Sequence, residues 1–535
     1  MQGETLEDTS VHMTGIKGSG MVALAEILCA RGASVRGTDT AERFYTDEIL
    51  AGLNVELIEG FDAAHVRAGT DVLYYSAAYD PETHPELVRA RELSIPCFTY
   101  NEALGRFSES ADATGIAGVH GKSTSTAIAG VLVRELGLPA TVVVGSMVPD
   151  FGNRAASVSG EAFFIAETCE YRRHFLAFQP DRLMVTSIEA DHLDYFQGYE
   201  DIFTAFEEYA SQLSYDGLLV YCADDPGACD LAARIAAIRP DVRCTPYGVH
   251  AEGRFRVEST RTENEQVHFK LSGFSRSLSL SLPGEHNAVN TAGVLALIED
   301  ILPADVRRRE ESGKRQNEPR IKPDGQRPVQ DGQRPVQDDQ RHGPDKARPV
   351  QDDHDLPGSP LSDAWERISR ALSGFRGLKR RSERIGEAGG VTILDDYAHH
   401  PTAITAEIQA LRQFFPDRRL VVDFMSHTYS RTAALLDDFA QALSEADVLV
   451  LHRIYASARE VNSRGVRGEH LADAVVSQPQ GARLHSSSVY YIDDPLDAVD
   501  TLETILRPGD VFVTMGAGDN WRVGKALLER RRTRT

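Results

Sequence analysis

The sequence predicts an α/β protein of three domains, each built on a largely parallel sheet covered by helices. Three observations lead there. Short apolar runs alternate with helical segments through residues 11–76, a glycine-rich turn ending in Gly121-Lys122-Ser123 opens a second strand–helix unit, and a third unit begins near Gly389. Such alternation marks parallel sheets joined by crossover helices. A chain of 535 residues, 41% hydrophobic and 26% charged, also exceeds what one core can hold. Domains are expected at 1–111, 112–386 and 387–535.

The N-terminal unit reads as a strand over 11–15, a helix over 21–31, a strand over 34–38 and a further strand over 71–76. Gly15-Ile16-Lys17-Gly18-Ser19-Gly20 joins the first strand to its helix, and Asp39 closes the second strand about twenty residues on. Glycines there let backbone N–H groups approach a pyrophosphate, so a dinucleotide or a nucleotide-sugar diphosphate would fit. The order is G-x-x-G-x-G rather than the dinucleotide G-x-G-x-x-G, and tight strand-to-helix packing would explain the turn as well.

The second unit carries the most informative segment. A buried strand over 113–117 leads into Gly118-Val119-His120-Gly121-Lys122-Ser123-Thr124, followed by a helix over 127–136. A glycine turn at a helix N-terminus presents backbone donors to phosphate oxygens; Lys122 would reach the β and γ phosphates and Ser123 a divalent cation. Ile116 stands where the general G-x-x-x-x-G-K-[ST] pattern has glycine. Two later apolar runs, at 162–166 and 183–188, deliver Glu167 and then Glu189-Ala190-Asp191-His192 at their carboxyl ends. Ligands bind beyond those ends of parallel strands, so these side chains can converge on Lys122 and a phosphate-bound Mg²⁺.

Strand–helix alternation is expected to continue through Glu299. From 304 to 359 the sequence turns charged and Pro/Gln-rich, with Arg-Pro-Val-Gln-Asp at 327–331, 334–338 and 348–352. Such a stretch buries too little apolar surface to offset its ordering entropy and reads as a disordered insertion. Helical periodicity resumes over 361–372, and strands over 391–394 and 420–424 open the third unit. Between them lie the basic cluster Lys379-Arg380-Arg381 with Arg384, and the polar segment Asp395-Asp396-Tyr397-Ala398-His399-His400-Pro401-Thr402.

A formal net charge of −23 argues against nucleic acid or an anionic membrane as partner. The acidic start Met1-Gln2-Gly3-Glu4 lacks a basic, apolar leader, and a cytoplasmic location is expected. The six cysteines form no C-x-x-C pair and read as reduced core thiols.

Taken together, these motifs resemble those of the Mur ligases of peptidoglycan synthesis. The resemblance spans nearly the whole chain. It includes the two glycine turns, Glu167-Thr168-Cys169-Glu170-Tyr171, Ile188-Glu189-Ala190-Asp191-His192, Pro283-Gly284-Glu285-His286-Asn287, Lys379-Arg380-Arg381, the 395–402 segment and Ser426-His427-Thr428-Tyr429-Ser430-Arg431. It implies a Rossmann-like N-terminal domain, a central P-loop ATPase-type domain and a Rossmann-like C-terminal domain. It further implies an ATP- and Mg²⁺-dependent amide ligase, with Mn²⁺ as the substituting ion, that joins L-alanine to UDP-N-acetylmuramate.

By the same resemblance Gly15, Gly18, Ser19 and Gly20, with Asp39 and Ser76, hold the UDP-sugar. Gly118, Val119, His120, Gly121, Lys122, Ser123 and Thr124, with His286, Asn287, Arg381 and Asp396, line the ATP. Ser123, Glu167 and His192 ligate the metal. Tyr397, His399, His427 and Arg431 face the alanine, and Lys122, Arg381 and His399 carry the chemistry. Departures from the family pattern are Ser187 in place of asparagine, Ser382 in place of an aromatic, and Ser426 and Thr428 around His427. A relative that attaches a recovered tripeptide to the same UDP-sugar is similar in the phosphate loop and in the Asp-Asp-x-Ala-His-His-Pro motif. An NAD-dependent oxidoreductase would account for the first glycine turn but not for Lys122 or the 395–402 segment.

Overall fold

A computed structural model describes residues 6–190, 195–317, 360–456, 462, 465–478 and 484–533. The N-terminal sheet is five-stranded and parallel, in the spatial order Val55–Glu59, Ser34–Asp39, Ser10–Thr14, Val72–Tyr75, Cys97–Thr99. Its order reverses beside Ser10–Thr14, so the crevice for a ligand opens at Gly15 and Ser76, as open α/β sheets require. The helix Ser19–Ala30 starts directly from the turn and buries its apolar face.

The middle sheet has seven strands: Arg243–Tyr247, Leu218–Cys222, Arg182–Val185, Asp112–Ala117, Phe163–Glu167, Ala140–Val148 and Arg154–Val158. All pairings are parallel except the last, a hairpin edge. Asp112–Ala117 is central and almost wholly buried, which explains its uninterrupted small and apolar residues. The C-terminal sheet runs Glu383–Ala388, Val391–Asp396, Val511–Met515, Leu420–Phe424, Val448–Leu451, Val489–Tyr491, with only the first strand antiparallel. One hydrophobic cluster spans the N-terminal and middle domains, whereas separate clusters cover the two faces of the C-terminal sheet.

The differences from the sequence reading have physical causes. The phosphate-loop helix begins at Lys122, not at 127, because Gly121 turns the chain with φ +81° straight into it. Alternation does not persist through Glu299: Val257–Glu263, Gln266–Leu271 and Leu278–Leu280 form a three-stranded antiparallel sheet. The helix Glu285–Asn317 passes through 304, where the insertion was expected to begin, and residues 318–359 lie outside the described residues. The resumed helix spans Pro360–Ser373. The C-terminal sheet already includes Glu383–Ala388. The cysteines are all free, but only Cys222 is buried and Cys169 is exposed. No described helix is long and apolar enough to cross a membrane.

Candidate functional site

Two cavities meet where the three domains converge. The first, about 540 Å³, is lined by Gly15, Gly18, Ser19, Asp39 and Ser76 from the N-terminal domain, by Ser123 and Glu167, and by Arg381 and Tyr397. The second, about 410 Å³, is lined by the loop from Val119 to Thr124, by His286 and Asn287, and by Asp396 and His399. Ser123, Glu167 and Arg381 border both, so anything passing from one ligand to the other passes them.

In the first cavity the glycine turn is packed closely by its neighbours. Gly15 has φ +79°, and a Cβ there would lie 2.6 Å from the Tyr79 ring. Asp39 accepts the Lys17 N–H at 2.7 Å and the Thr40 N–H at 2.8 Å. Lys17, inside the turn, aims its ammonium at the carbonyls of Thr40 and Glu42, at 2.9 and 2.8 Å, so it braces the turn. Gly20 faces a neighbouring depression with Tyr100, Arg172 and His174. The aromatic residues Phe44, Tyr45 and Tyr79 were not singled out by sequence; aromatics in loops give no periodic signal.

In the second cavity the 118–124 loop is fixed from beneath. Gly118, with φ +128°, leaves no room for a Cβ beside Thr186 and Ser187. Val119 N–H donates to the Ser187 carbonyl at 3.1 Å and His120 N–H to the Ser187 hydroxyl at 3.2 Å, so the serine that replaces the usual asparagine still anchors the loop. Lys122 donates to the Gly118 carbonyl and to Glu170, whose nearer oxygen is 3.0 Å away. Glu170 is 2% exposed. Burial opposes the Lys122 charge, but Glu170 outweighs it and holds the ammonium above its ordinary pKa. Glu167 accepts the Gly145 N–H at 2.8 Å.

The C-terminal domain supplies the facing wall. Asp396 accepts N–H groups of Ala398 at 2.6 Å and of Ser382 at 2.7 Å. The Ser382 hydroxyl lies 2.8 Å from each oxygen of buried Glu407, a residue absent from the sequence reading because its partner is 25 positions away. Burial and the neighbouring Asp396 push Glu407 well above its ordinary value. Arg381 and Arg380 lie over the Tyr397 ring at 5.3 and 5.0 Å. Arg380 pairs with Asp395 at 3.1 Å and Lys379 with Glu383 at 2.6 Å, while Arg384 turns away to Glu265 and Glu387.

His399 packs against Tyr397 at 5.1 Å and His427 at 6.2 Å. Burial, then the charge of Arg431, lower its pKa to about 3. Its Nδ1 is 2.9 Å from the Tyr397 carbonyl, which can only accept, so the neutral ring carries its proton on Nδ1 and its lone pair on Nε2. His286 is likewise lowered to about 4 by burial and then by His120. His427 and Arg431 border neither cavity but adjoin His399. His192 lies outside the described residues.

The comparison with known families decides what this architecture is. A profile described as the Mur ligase family catalytic domain matches residues 10–111, one for the Mur ligase middle domain matches 116–298, and one for the Mur ligase glutamate ligase domain matches 380–518. The chain belongs to the Mur ligase family. Among Mur ligases, the UDP-N-acetylmuramate–L-alanine ligase of Treponema pallidum (strain Nichols) is 42% identical over 518 residues, covering 97% of this chain and 96% of that protein. The ligase of the same name from Desulfitobacterium hafniense (strain Y51) is 36% identical, covering 97% and 99%. Of solved structures, the UDP-N-acetylmuramate-alanine ligase MurC of Thermotoga maritima superposes with a TM-score of 0.72 at 21% identity, covering 98% of this chain and all of that one. A murein peptide ligase of Psychrobacter arcticus gives 0.60 at 18%, covering 97% and 98%. At such identities these Mur ligase structures speak for the three-domain fold alone.

Proposed function

We infer that this chain is an ATP-dependent ligase that joins L-alanine to the lactyl carboxylate of UDP-N-acetylmuramate, an early step of peptidoglycan synthesis. The observation that carries the reading is full-length identity of 42% to a relative of that name, on a chain whose two cavities meet at Ser123, Glu167 and Arg381. A murein peptide ligase shares the fold, but the more similar sequences carry the alanine name.

The chemistry follows from the groups present. A carboxylate is a poor electrophile, so its oxygen first attacks the γ-phosphorus of ATP, releasing ADP and giving an acyl phosphate. The alanine amine then attacks the acyl carbon, and the tetrahedral intermediate expels phosphate. In this reading Gly15, Gly18, Ser19, Gly20, Asp39 and Ser76 seat the UDP-sugar. The 118–124 loop with His286, Asn287 and Asp396 seats ATP. Lys122, which lines the second cavity, and Arg381, which borders both, offset charge growing on the transferred phosphoryl group.

The donor set suits a hard cation: the Ser123 hydroxyl and Glu167 carboxylate both border the junction and both offer oxygen. Mg²⁺ held there would neutralise charge on the β and γ phosphates. Among the described residues no group of three or more His, Cys, Asp or Glu is arranged to hold a metal ion, here or elsewhere.

Alanine arrives as an ammonium and must lose a proton to water before it attacks. His399 orients the amine through its Nε2 lone pair. The burial, and then the Arg431 charge, that keep His399 unprotonated also lower the pKa of an ammonium beside it. Tyr397, His427 and the Arg431 fork complete the amino-acid side, Arg431 pairing with the α-carboxylate.

Isotope transfer tests the order of steps. With ¹⁸O in the lactyl carboxylate, one labelled oxygen should leave in the released phosphate. Unlabelled phosphate from a productive ligation would refute the acyl-phosphate route.

A further inference from the structure

We propose that a buried Asp423–His452–Asn520 cluster is a positioning device that holds the amino-acid loops of the C-terminal domain in register, setting alanine affinity without touching alanine. The inference rests on the reading of His427 and Arg431 as amino-acid contacts.

Asp423, at the end of Leu420–Phe424, and Asn520 have no exposed surface, and His452, just past Val448–Leu451, is 2% exposed. A carboxylate so placed is costly unless every lone pair is met. Here each oxygen is met: His452 Nε2 lies 2.9 Å from Asp423 Oδ2, and Asn520 donates to Oδ1 at 2.9 Å. The other His452 nitrogen donates to the Ile492 carbonyl at 2.8 Å, and Asn520 also donates to the carbonyls of Asp423 at 3.1 Å and Met515 at 3.0 Å. One ring nitrogen meets a carbonyl, which can only accept, and the other meets the Asp423 carboxyl, an arrangement that favours the protonated ring. Burial disfavours that charge, but Asp423 outweighs it and raises the His452 pKa. The cluster therefore ties together the carboxyl ends of Leu420–Phe424, Val448–Leu451 and Val511–Met515, and the residue after Val489–Tyr491.

The loops that leave these strands are cross-linked directly above. Tyr455 N–H donates to the Ser426 carbonyl at 2.9 Å and Thr428 N–H to the Tyr455 carbonyl at 3.1 Å. The His427 and Tyr455 rings stack at 6.0 Å. Thr428 holds φ +66°, an unfavourable backbone for a β-branched residue, and launches the helix Tyr429–Ala434 that carries Arg431. A strained loop persists only when its anchors are rigid, and the one between His427 and Arg431 is anchored on the segment His452 begins.

The test is a KM comparison on the full-length enzyme for His452→Leu, His452→Gln and Asn520→Ala, with Arg431→Lys in parallel. His452→Leu should raise the KM for alanine about tenfold or more, ~1.4 kcal/mol. Those for ATP and the UDP-sugar, and kcat at saturating alanine, should stay within about twofold to threefold. His452→Gln, which keeps a donor toward Asp423, should recover part of the loss. If His452→Leu does not fold, the Gln and Asn520→Ala variants carry the same comparison. Should Arg431→Lys fail to raise the alanine KM selectively, the amino-acid reading itself falls. A selective Arg431→Lys effect, with folded cluster variants that leave alanine KM unchanged or raise all three KM values alike, overturns the positioning role.

Discussion

Replacing Glu26 with glutamine should make docking of the N-terminal domain on the middle domain insensitive to pH. Glu26 sits on the helix Ser19–Ala30, is 2% exposed, and uses one oxygen, Oε2, to accept the N–H groups of Ala155 at 2.9 Å and Ala156 at 2.7 Å on the edge strand Arg154–Val158. Its Oε1 is buried with no hydrogen-bond partner. Burial, only partly offset by the two amides and Arg154, raises its pKa from 4.5 to about 7. Because the docked state holds the proton more tightly, the penalty is absent below 4.5, grows between 4.5 and about 7, and is constant above. That interval corresponds to ~3 kcal/mol. Glutamine keeps an oxygen for the two amides, puts its NH₂ where Oε1 lacks a partner, and never ionises. Amide hydrogen exchange over residues 154–158 reads the difference. At pH 5 wild type and Glu26→Gln should exchange at similar rates, and at pH 8 the variant should be slower by up to about a hundredfold. An equal gap at both pH values, or a slower wild type at pH 8, would refute the reasoning.

Lys122→Ala should reduce ligation by at least ~10²-fold while leaving UDP-sugar binding by calorimetry nearly intact, since Lys122 borders the second cavity and not the first. Because the change also removes the Lys122 ammonium from beside buried Glu170, a lowered melting temperature should accompany it. Gly118→Ala should weaken ATP binding with little effect on the UDP-sugar, because its Cβ would collide with Thr186 and Ser187; equal loss of both ligands would contradict the separation of sites. Deleting residues 320–356, whose composition is repetitive and polar, should leave turnover within about tenfold, ~1.4 kcal/mol, in a steady-state assay.

Much of this was legible because certain residues have few physical uses. A Gly-Lys-Ser turn predicts a loop between a buried strand and a helix, and the chain folds that way, from Asp112–Ala117 through Gly121 into the helix at Lys122. The hairpin between Val257–Glu263 and Gln266–Leu271 escaped notice because its turn residues, Asn264 and Glu265, adopt φ +53° and +54° with no glycine to announce it. The helix start at Lys122 was hidden by a Ser/Thr-rich run of modest propensity that packing overrides. Lys17 gave no signal of its own within the glycine turn, yet Asp39 takes its backbone N–H and two carbonyls take its ammonium. Glu407 and His452 gave no local signal at all. Their partners, Ser382 and Asp423, stand 25 and 29 positions away, and only the fold brings them together.

Product mass after incubation with UDP-N-acetylmuramate, ATP and Mg²⁺ tests the assigned activity most directly. The enzyme should be offered L-alanine, glycine, L-serine and a cell-wall tripeptide in competition. The mass gain of one alanine residue, accompanied by ADP and phosphate and absent when ATP is withheld, is the expected result. Preferential addition of the tripeptide, or alanine consumption without ATP turnover, would contradict it.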